Sequence, residues 1–462
     1  MPPKYHIHTA NVPDRFQRVR RSGVIAWEEG CLRCTRCVKK DCVYDVYATR
    51  RLDAREMMDT LDNVCQDCFR CVQNCPNRLI HKALSARYTA MGDEYWTPEI
   101  ISTLWNQAET GRIPVSGAGY TGPFIGPGFD NMWTDMSEIV RPTRDGIHGR
   151  EYISTAISLG RKHMALEFDA HGELPSSIYP MVQIPVPLIL DLPRNSPPKK
   201  HIIGALLQVA RELGTFAIIP QSEWAASLTL HTEHTMLYLD IGLESLDEQV
   251  LLDLLVVELP DKPGVMDQRN RLKELKPEVV VVIRVPVNSD APERARELVE
   301  AGVEVLHFKA NEFGREQTPD SPFIKDRMKE IHLHLVNAGV RDEVSILGGG
   351  GVAMAEHMAK LIICGADAVT VDMPLLIAME CRVCRRCSQG LSCPVELGKV
   401  DSGWGGARMR NLMGAWHSQL IEVLGAMGMR EVARLRGEMG RAMFFEDLDK
   451  EYFPMLGRKN DD

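Results

Sequence analysis

The sequence predicts an α/β protein, a (β/α)8 TIM-type barrel preceded by a small cysteine-rich domain. From about Gln183 onward, fully apolar stretches of strand length alternate with helical stretches, the mark of a parallel sheet covered on both faces. Eight such strands precede residue 380, the number that closes a barrel. The third observation concerns the other end of the chain, where eight of the 13 cysteines fall between Cys31 and Cys75 in two nearly identical strings.

Composition bounds the function. The 462 residues, 44% hydrophobic and 25% charged, suffice for two or three domains with real cores and exclude disorder or collagen-like repeats. Fifty-four basic against 63 acidic residues leave a net charge of −9, so nucleic acid is not an expected partner. The basic run "RFQRVRR" at residues 15–21 reads as solvated surface. No run of about 18 apolar residues occurs, so no transmembrane segment is expected. The start "MPPKYHIHTANVPDR" lacks the apolar centre of a signal peptide, and the expected location is cytoplasmic.

In a reducing compartment, cysteines this dense are better explained as metal ligands than as disulfides. The first string is CxxCxxCxxxxC (Cys31, Cys34, Cys37, Cys42) and the second is CxxCxxCxxxCP (Cys65, Cys68, Cys71, Cys75, Pro76). Zinc favours two short CxxC pairs far apart. Three cysteines at successive two-residue gaps instead wrap a loop around three corners of a cubane, and in two-cluster ferredoxins the fourth thiolate comes from the other string. Cys31, Cys34, Cys37 and Cys75 are therefore assigned to one [4Fe-4S] cluster, and Cys65, Cys68, Cys71 and Cys42 to a second. The first string departs from the bacterial ferredoxin pattern in having four residues before Cys42 and Val43 in place of proline. Residues 1–93 thus read as a two-[4Fe-4S] ferredoxin-like iron-sulfur domain.

Residues 94–182 read as a connector. "PVSGAGYTGPFIGPGFDNMW" is too rich in Gly and Pro for regular structure and suits an ordered link or lid. "SEIVRPTRDGIHGREYISTAISLGRK" reads as a turn followed by an amphipathic helix.

The barrel is assigned to residues 183–380. Its strands are "IPVPLILDL", "TFAIIP", "MLYLDIG", "LLVVELPD", "VVVVIRVPV", "VEVLHFKA", "VSILGGGG" and "AVTVDMP", with helices such as "HIIGALLQVARELG" and "APERARELVEAG" between them. A doubly wound open sheet is the alternative. Barrel sites lie at the C-terminal strand ends, with phosphate commonly held after the last two strands. There Gly348, Gly349, Gly350 and Gly351 let backbone N–H groups approach an anion, and a helix starting near Met354 adds its N-terminal dipole. A tight turn is the bland reading of the same glycines. Arg284 and Lys309 end the fifth and sixth strands, where catalytic or substrate-binding cations would stand; either could instead pair with a carboxylate such as Glu258 or Asp372.

The last region, residues 381–462, opens on "CRVCRRCSQGLSCPV", a CxxCxxCxxxxxCP string in which Cys381, Cys384, Cys387 and Cys393 supply four local ligands for a third cluster. Cys364 reads as a buried small hydrophobe. "HLHL" at His332 and His334 reads as surface helix, and "HSQLIEVLGAMGMREVARLRG" as an amphipathic helix packed under the barrel.

"GGGGVAMAEHMAKLIICGADAV" followed by a cysteine loop ending in "SCPV" resembles the FMN-binding domain of glutamate synthases. There a glycine pair before a helix holds the flavin phosphate and a cysteine loop holds a [3Fe-4S] cluster. With the cysteine-rich domain and "WTDMSEIVRPTRDGIHGREYIST", the chain is similar to archaeal-type and stand-alone glutamate synthase large subunits. The resemblance implies FMN at Gly348–Gly351, with Arg284 in reach of it. It also exposes departures. The family's three-cysteine loop maps onto Cys381, Cys387 and Cys393, and Cys384 is additional, which leaves the third cluster as [4Fe-4S] or [3Fe-4S]. The glycine-rich turns that the family uses for its substrate are replaced by "IPQSEW" and "KANEFGREQTP", and Glu258 stands where a cation is expected. The expected function is an iron-sulfur flavoprotein subunit of a hetero-oligomeric redox complex, relaying electrons between a partner subunit and FMN. The alternatives are a true glutamate synthase subunit and a flavin-free electron-transfer or scaffold subunit.

Overall fold

The computed structural model describes residues 5–26, 30–47, 65, 67–113, 128–134, 152–162, 168, 171–172, 179–193, 200–224, 232–245, 247–316 and 321–452. The chain divides into two compact units. One comprises Pro13–Ser102 with Glu380–Arg385; the other comprises Met1–Val12, Thr103–Met379 and Arg386–Asp462. This division differs from boundaries at 93, 182 and 380: the first residues of the chain join the barrel, and the third cysteine string is split after Arg385.

In the cysteine-rich unit, strand β1 (Ser22–Ala26) pairs antiparallel with β2 (Ile80–Leu84), Ser22 opposite Leu84. A tight helical turn at Cys37–Asp41, helix α1 (Arg70–Asn74) and helix α2 (Ala86–Thr89) complete its described elements. Its core is small. Val46, Tyr47 and Ile80 are buried together with Cys65 and Cys71, and Cys37, Cys42 and Cys75 pack against them. The basic run reads as paired surface: Arg18 bridges to Asp14 at 2.9 Å, and Arg15 to Glu380 at 3.3 Å.

Helix α3 (Pro98–Thr110) leads into the barrel unit. Strand β3 (Met132–Thr134) pairs with the late strand β14 (Ala442–Phe444), and β4 (Ile157–Gly160) pairs antiparallel with β5 (Met181–Ile184). The expected helix in "SEIVRPTRDGIHGREYISTAISLGRK" is therefore corrected in its described part. Ile157 and Leu159 are buried while Ser158 between them is not, a period of two that suits a strand with β5 as its partner. Residues 135–151 and 114–127 lie outside the described residues, and with them most of the expected lid.

The eight barrel strands are β6 (Leu188–Asp191), β7 (Ala217–Pro220), β8 (Thr235–Tyr238), β9 (Val256–Pro260), β10 (Val280–Val285), β11 (Val305–Lys309), β12 (Ser345–Gly349) and β13 (Ala368–Val371). They close in sequence order, β13 returning to β6, every pair parallel. The open-sheet alternative is excluded. Between the strands run α4 (Lys200–Leu213), α5 (Glu248–Asp253), α6 (Val265–Leu275), α7 (Ala291–Glu300), α8 (Ile324–Asn337), α9 (Ala355–Ile363) and α10 (Met373–Ala378). Val280 to Ile283 and Leu188 to Leu190 are fully buried, as strands covered on both faces must be.

The C-terminal helix α11 (Ser402–Ala426) packs on α4 and α9 at the barrel's flank. Asp401 caps it by accepting from the Trp404 N–H at 2.8 Å. Its buried Arg408 donates to the Ala378 carbonyl at 2.6 Å and to the Val12 carbonyl at 3.0 Å. Helix α12 (Phe445–Tyr452) follows. Among the described residues no helix is long and apolar enough to cross a membrane.

Candidate functional site

Two cavities in the cysteine-rich unit are walled by thiols. One is lined by Cys31, Cys34, Cys37 and Cys75, with Arg36, Asp41 and Asn74. The other is lined by Cys42, Cys65, Cys68 and Cys71, with Asp41, Tyr47 and Lys82. These are the two sets that the cysteine spacing assigns, including the exchange of the fourth ligand. Among the described residues no three His, Cys, Asp or Glu side chains converge where a single ion would sit; the thiols stand around a space instead. Burial pushes the Cys71 thiol up, while Tyr47, which hydrogen-bonds it, and Lys82 act the other way.

The backbone of the three cysteine strings repeats one conformation. Two and four residues after the first cysteine, the chain is left-handed: Arg33 and Thr35 (φ 55° and 55°), Asp67 and Phe69 (54° and 59°), Val383 and Arg385 (51° and 57°). Three residues after the last cysteine it is left-handed again, at Asp45 (56°), Arg78 (53°) and Glu396 (46°). Among the described non-glycine residues only Glu380 has a left-handed φ outside this pattern. Arg78 and Glu396 each donate a backbone N–H to the carbonyl of the last cysteine, Cys75 and Cys393, at 3.1 Å. A non-glycine residue in this region costs roughly 1–2 kcal/mol, so nine at matching offsets require a common cause that over-determines them. Curling a short loop so that cysteines and N–H groups face inward is such a cause. Nothing in the residue types signals it: Arg, Thr, Asp, Phe, Val and Glu share no turn preference.

The barrel mouth holds the second candidate site. Arg284 makes a bidentate pair with Glu258, Nε to Oε1 at 2.9 Å and an Nη to Oε2 at 2.6 Å, and lies 3.7 Å from Asp191. Its guanidinium sits 4.3 Å from the Tyr238 ring centroid. Lys309 contacts Asp191 and lies 3.2 Å from Asp372. His307 closes the network, Nδ1 to Glu258 at 2.5 Å and Nε2 to Thr370 Oγ1 at 3.1 Å. Burial alone would raise the Glu258 carboxyl, but Arg284 and His307 outweigh it and hold it at about 2. Burial pushes His307 down, against the pull of Glu258. Three carboxylates thus meet two cations and an imidazole kept from charging.

Arg284 and Lys309 stand at the strand ends where the sequence places them, and both are engaged by carboxylates. The sequence reading missed Asp191, Tyr238, His307 and Thr370. A signal was present for His307: Val305, His307 and Lys309 share one face of β11 by strand alternation, so a histidine between two apolar neighbours pointed into the barrel.

Gly348 and Gly349 end β12, and Gly350 and Gly351 turn left-handed before α9 (φ 97° and 66°). A Cβ on Gly349 would lie 1.8 Å from Thr370 Oγ1, and one on Gly350 2.5 Å from the Ala310 carbonyl oxygen. Packing against neighbouring strands therefore requires glycine at both positions with or without an anion. Met354 begins α9 without a side-chain cap, which leaves that helix start suited to a phosphate. The remaining histidines divide by burial: His332 is buried beside Arg341 and driven down to about 4, mainly by that burial, whereas His334 is exposed and bridges to Glu293 at 3.1 Å. His332 thus departs from the surface reading. Cys364 is fully buried.

Comparison with known proteins gives this arrangement a context. Residues 321–430 match a family model described as the conserved region in glutamate synthase. An archaeal glutamate synthase [NADPH] from Archaeoglobus fulgidus is 25% identical, covering 97% of this chain and 98% of that protein. An archaeal-type glutamate synthase [NADPH] from Dehalococcoides mccartyi is 24% identical, covering 89% and 92%. Among solved structures, a lactate oxidase from Pediococcus acidilactici aligns at a TM-score of 0.41 and 12% identity over 73% of this chain and 92% of that one, a likeness too loose to carry an argument.

Proposed function

We propose, from the premise that this chain belongs to the glutamate synthase family, that it is an iron-sulfur subunit relaying electrons between a cytoplasmic redox partner and FMN at the barrel. The observation that carries the reading is the left-handed pattern repeated in three cysteine strings, two of which wall four-thiol cavities. Cys31, Cys34, Cys37 and Cys75 would hold one [4Fe-4S] cluster, Cys42, Cys65, Cys68 and Cys71 a second, and Cys381, Cys384, Cys387 and Cys393 a third. Bound there, such clusters exchange single electrons, and FMN exchanges one or two. The chain's own part is to present thiolates from strained loops and to offer the start of α9 with Gly350 and Gly351 to the flavin phosphate.

The barrel mouth supports a relay over amination of 2-oxoglutarate. A dicarboxylate needs cations free to offset its desolvation. Arg284 and Lys309 are already engaged by Glu258, Asp191 and Asp372. Full-length similarity to proteins named as glutamate synthases favours the second reading, a true synthase.

Iron and flavin measured per chain after anaerobic purification test the proposal. About one FMN with about four irons for each cubane is expected; iron without flavin leaves a flavin-free electron-transfer subunit, and glutamate formed from 2-oxoglutarate and ammonia restores the synthase. Cys384→Ser decides the third cluster. Loss of about one cubane's iron is expected, whereas a three-cysteine [3Fe-4S] site would keep its cluster and its oxidised-state EPR signal.

A further inference from the structure

The two thiol cavities are not electrostatically equivalent. Lys82 lies two residues along β2 from Ile80, so strand alternation turns both toward the same face. Ile80 belongs to the buried thiol core, and Lys82 follows it inward, lining the second cavity with its side chain only 6% exposed. Its ammonium contacts Cys65 Sγ and lies 3.3 Å from Asp67, a carboxylate 32% exposed. A buried ammonium requires negative charge close by, and a carboxylate partly in water supplies only part of it. A cubane held by four thiolates supplies the remainder.

Among the described residues the first cavity has no counterpart. Its cationic lining residue, Arg36, is exposed, where water and salt screen it. Asp41, buried and accepting from Asn74 at 3.0 Å, lines both cavities and so favours neither. One-electron reduction adds one negative charge to a cluster without making or breaking a bond, and a buried cation or hydrogen bond at a ligand sulfur stabilises the reduced state.

We propose that Lys82 makes the cluster at Cys42, Cys65, Cys68 and Cys71 the higher-potential member of the pair, so that the first electron delivered to this unit rests there. The proposal depends on reading the two cavities as cluster sites. It makes Lys82 a tuning residue, acting on the cluster through Cys65 without ligating it.

The test is an EPR-monitored redox titration of the anaerobically purified full chain, with iron measured first. Cys68→Ser, which removes a ligand of the second cluster alone, identifies that cluster's signal. In the unsubstituted chain the higher midpoint is expected to belong to it. Lys82→Met should then change its oxidised-to-reduced ratio at fixed poise by at least tenfold toward oxidised, ~59 mV for a one-electron couple, while the first cluster stays and Lys82→Arg restores most of the shift. A higher midpoint at the first cluster overturns the proposal, as does an iron-replete Lys82→Met chain with unchanged potentials or with all clusters shifted alike. If Lys82→Met fails to load its cluster, the order of the two midpoints in the unsubstituted chain decides. A chain that binds no iron overturns the cluster reading itself; iron with the wrong order overturns only the role of Lys82.

Discussion

The cysteine-rich unit and the barrel mouth bury polar chemistry in opposite ways. At the mouth each buried cation meets a counter-charge within the protein, Arg284 on Glu258 and Lys309 on Asp191 and Asp372, and His307 bridges Glu258 and Thr370. In the cysteine-rich unit thiols belong to the core itself: Cys65 and Cys71 are two of the five buried residues in the cluster they form with Val46, Tyr47 and Ile80. The barrel is closed by strands whose valines, isoleucines and leucines are wholly inaccessible, and needs nothing further. The left-handed residues of the cysteine strings carry a conformational cost that a bound group would help to offset. On the proposed reading the barrel closes on its own side chains, whereas the cysteine-rich unit would gain stability from a bound group.

The widest separation between the two should come from removing iron. Chelation under reducing conditions is expected to open residues 13–102 to protease at least tenfold faster, because ligand binding energy is folding energy in such units, while the barrel unit keeps its resistance. Limited proteolysis with mass mapping reads both at once. Equal resistance of the two units after iron loss would break the comparison.

Breaking the mouth from within comes next. Glu258→Ala leaves Arg284 and His307 facing a buried void in charge and should cost about 3–5 kcal/mol, seen as a lower urea midpoint for the barrel transition. Glu258→Met combined with Arg284→Met should recover much of that loss, since removing both partners leaves no orphaned charge. Double and single variants equally destabilised would mean that the pair is more than mutual neutralisation.

The mouth should also fail in acid, in a stated direction. Glu258 is held at about 2 against an ordinary value of 4.5, and at the other end of the barrel, just before β13, burial of Asp367 is likewise outweighed by Arg341 and Arg436, which hold it at about 2. A carboxyl depressed in the folded state stabilises above its unfolded pKa, and that contribution disappears as pH falls from there toward the folded value. Barrel stability should therefore decline between pH 4.5 and 2, and Glu258→Gln should flatten the decline while lowering the starting point. An unchanged slope in Glu258→Gln would show that other groups control the acid limb.

The same contrast explains what could be read from the sequence. All eight barrel strands were legible because a strand buried on both faces is apolar over most of its length, as Val279 to Ile283 are in "VVVVIRVPV", and the grouping of thiols around two cavities was legible because cysteine spacing is written in residue identity. The sequence offers Glu258 and Asp372 as carboxylates that Arg284 or Lys309 could pair with, but which cation meets which depends on the register that places Arg284 opposite Pro260 and Val282 opposite Glu258, which no single strand reveals. Strand β4 was missed because its partner β5 begins only at Met181, well beyond its own end at Gly160. The left-handed residues were invisible because the loop imposes their conformation on side chains that do not favour it.

The smallest expected effect sharpens the comparison most directly, since it uses the same two residue types. His334 and Glu293 form a His–Glu contact at 3.1 Å on the exposed faces of α8 and α7, whereas His307 and Glu258 form one at 2.5 Å with no exposure on either side. In water, each exposed partner keeps its hydration when the other is removed, and salt screens what attraction remains. His334→Ala should therefore leave the urea midpoint within experimental scatter at any ionic strength. His307→Ala should take one hydrogen-bond partner each from Glu258 and Thr370 and open a cavity between them, with a clear loss of stability that salt does not alter. If the exposed pair mattered as much as the buried one, the barrel's charges would be acting through long-range field and not through local desolvation, and the mouth would lose its claim to be a sealed, internally paired network.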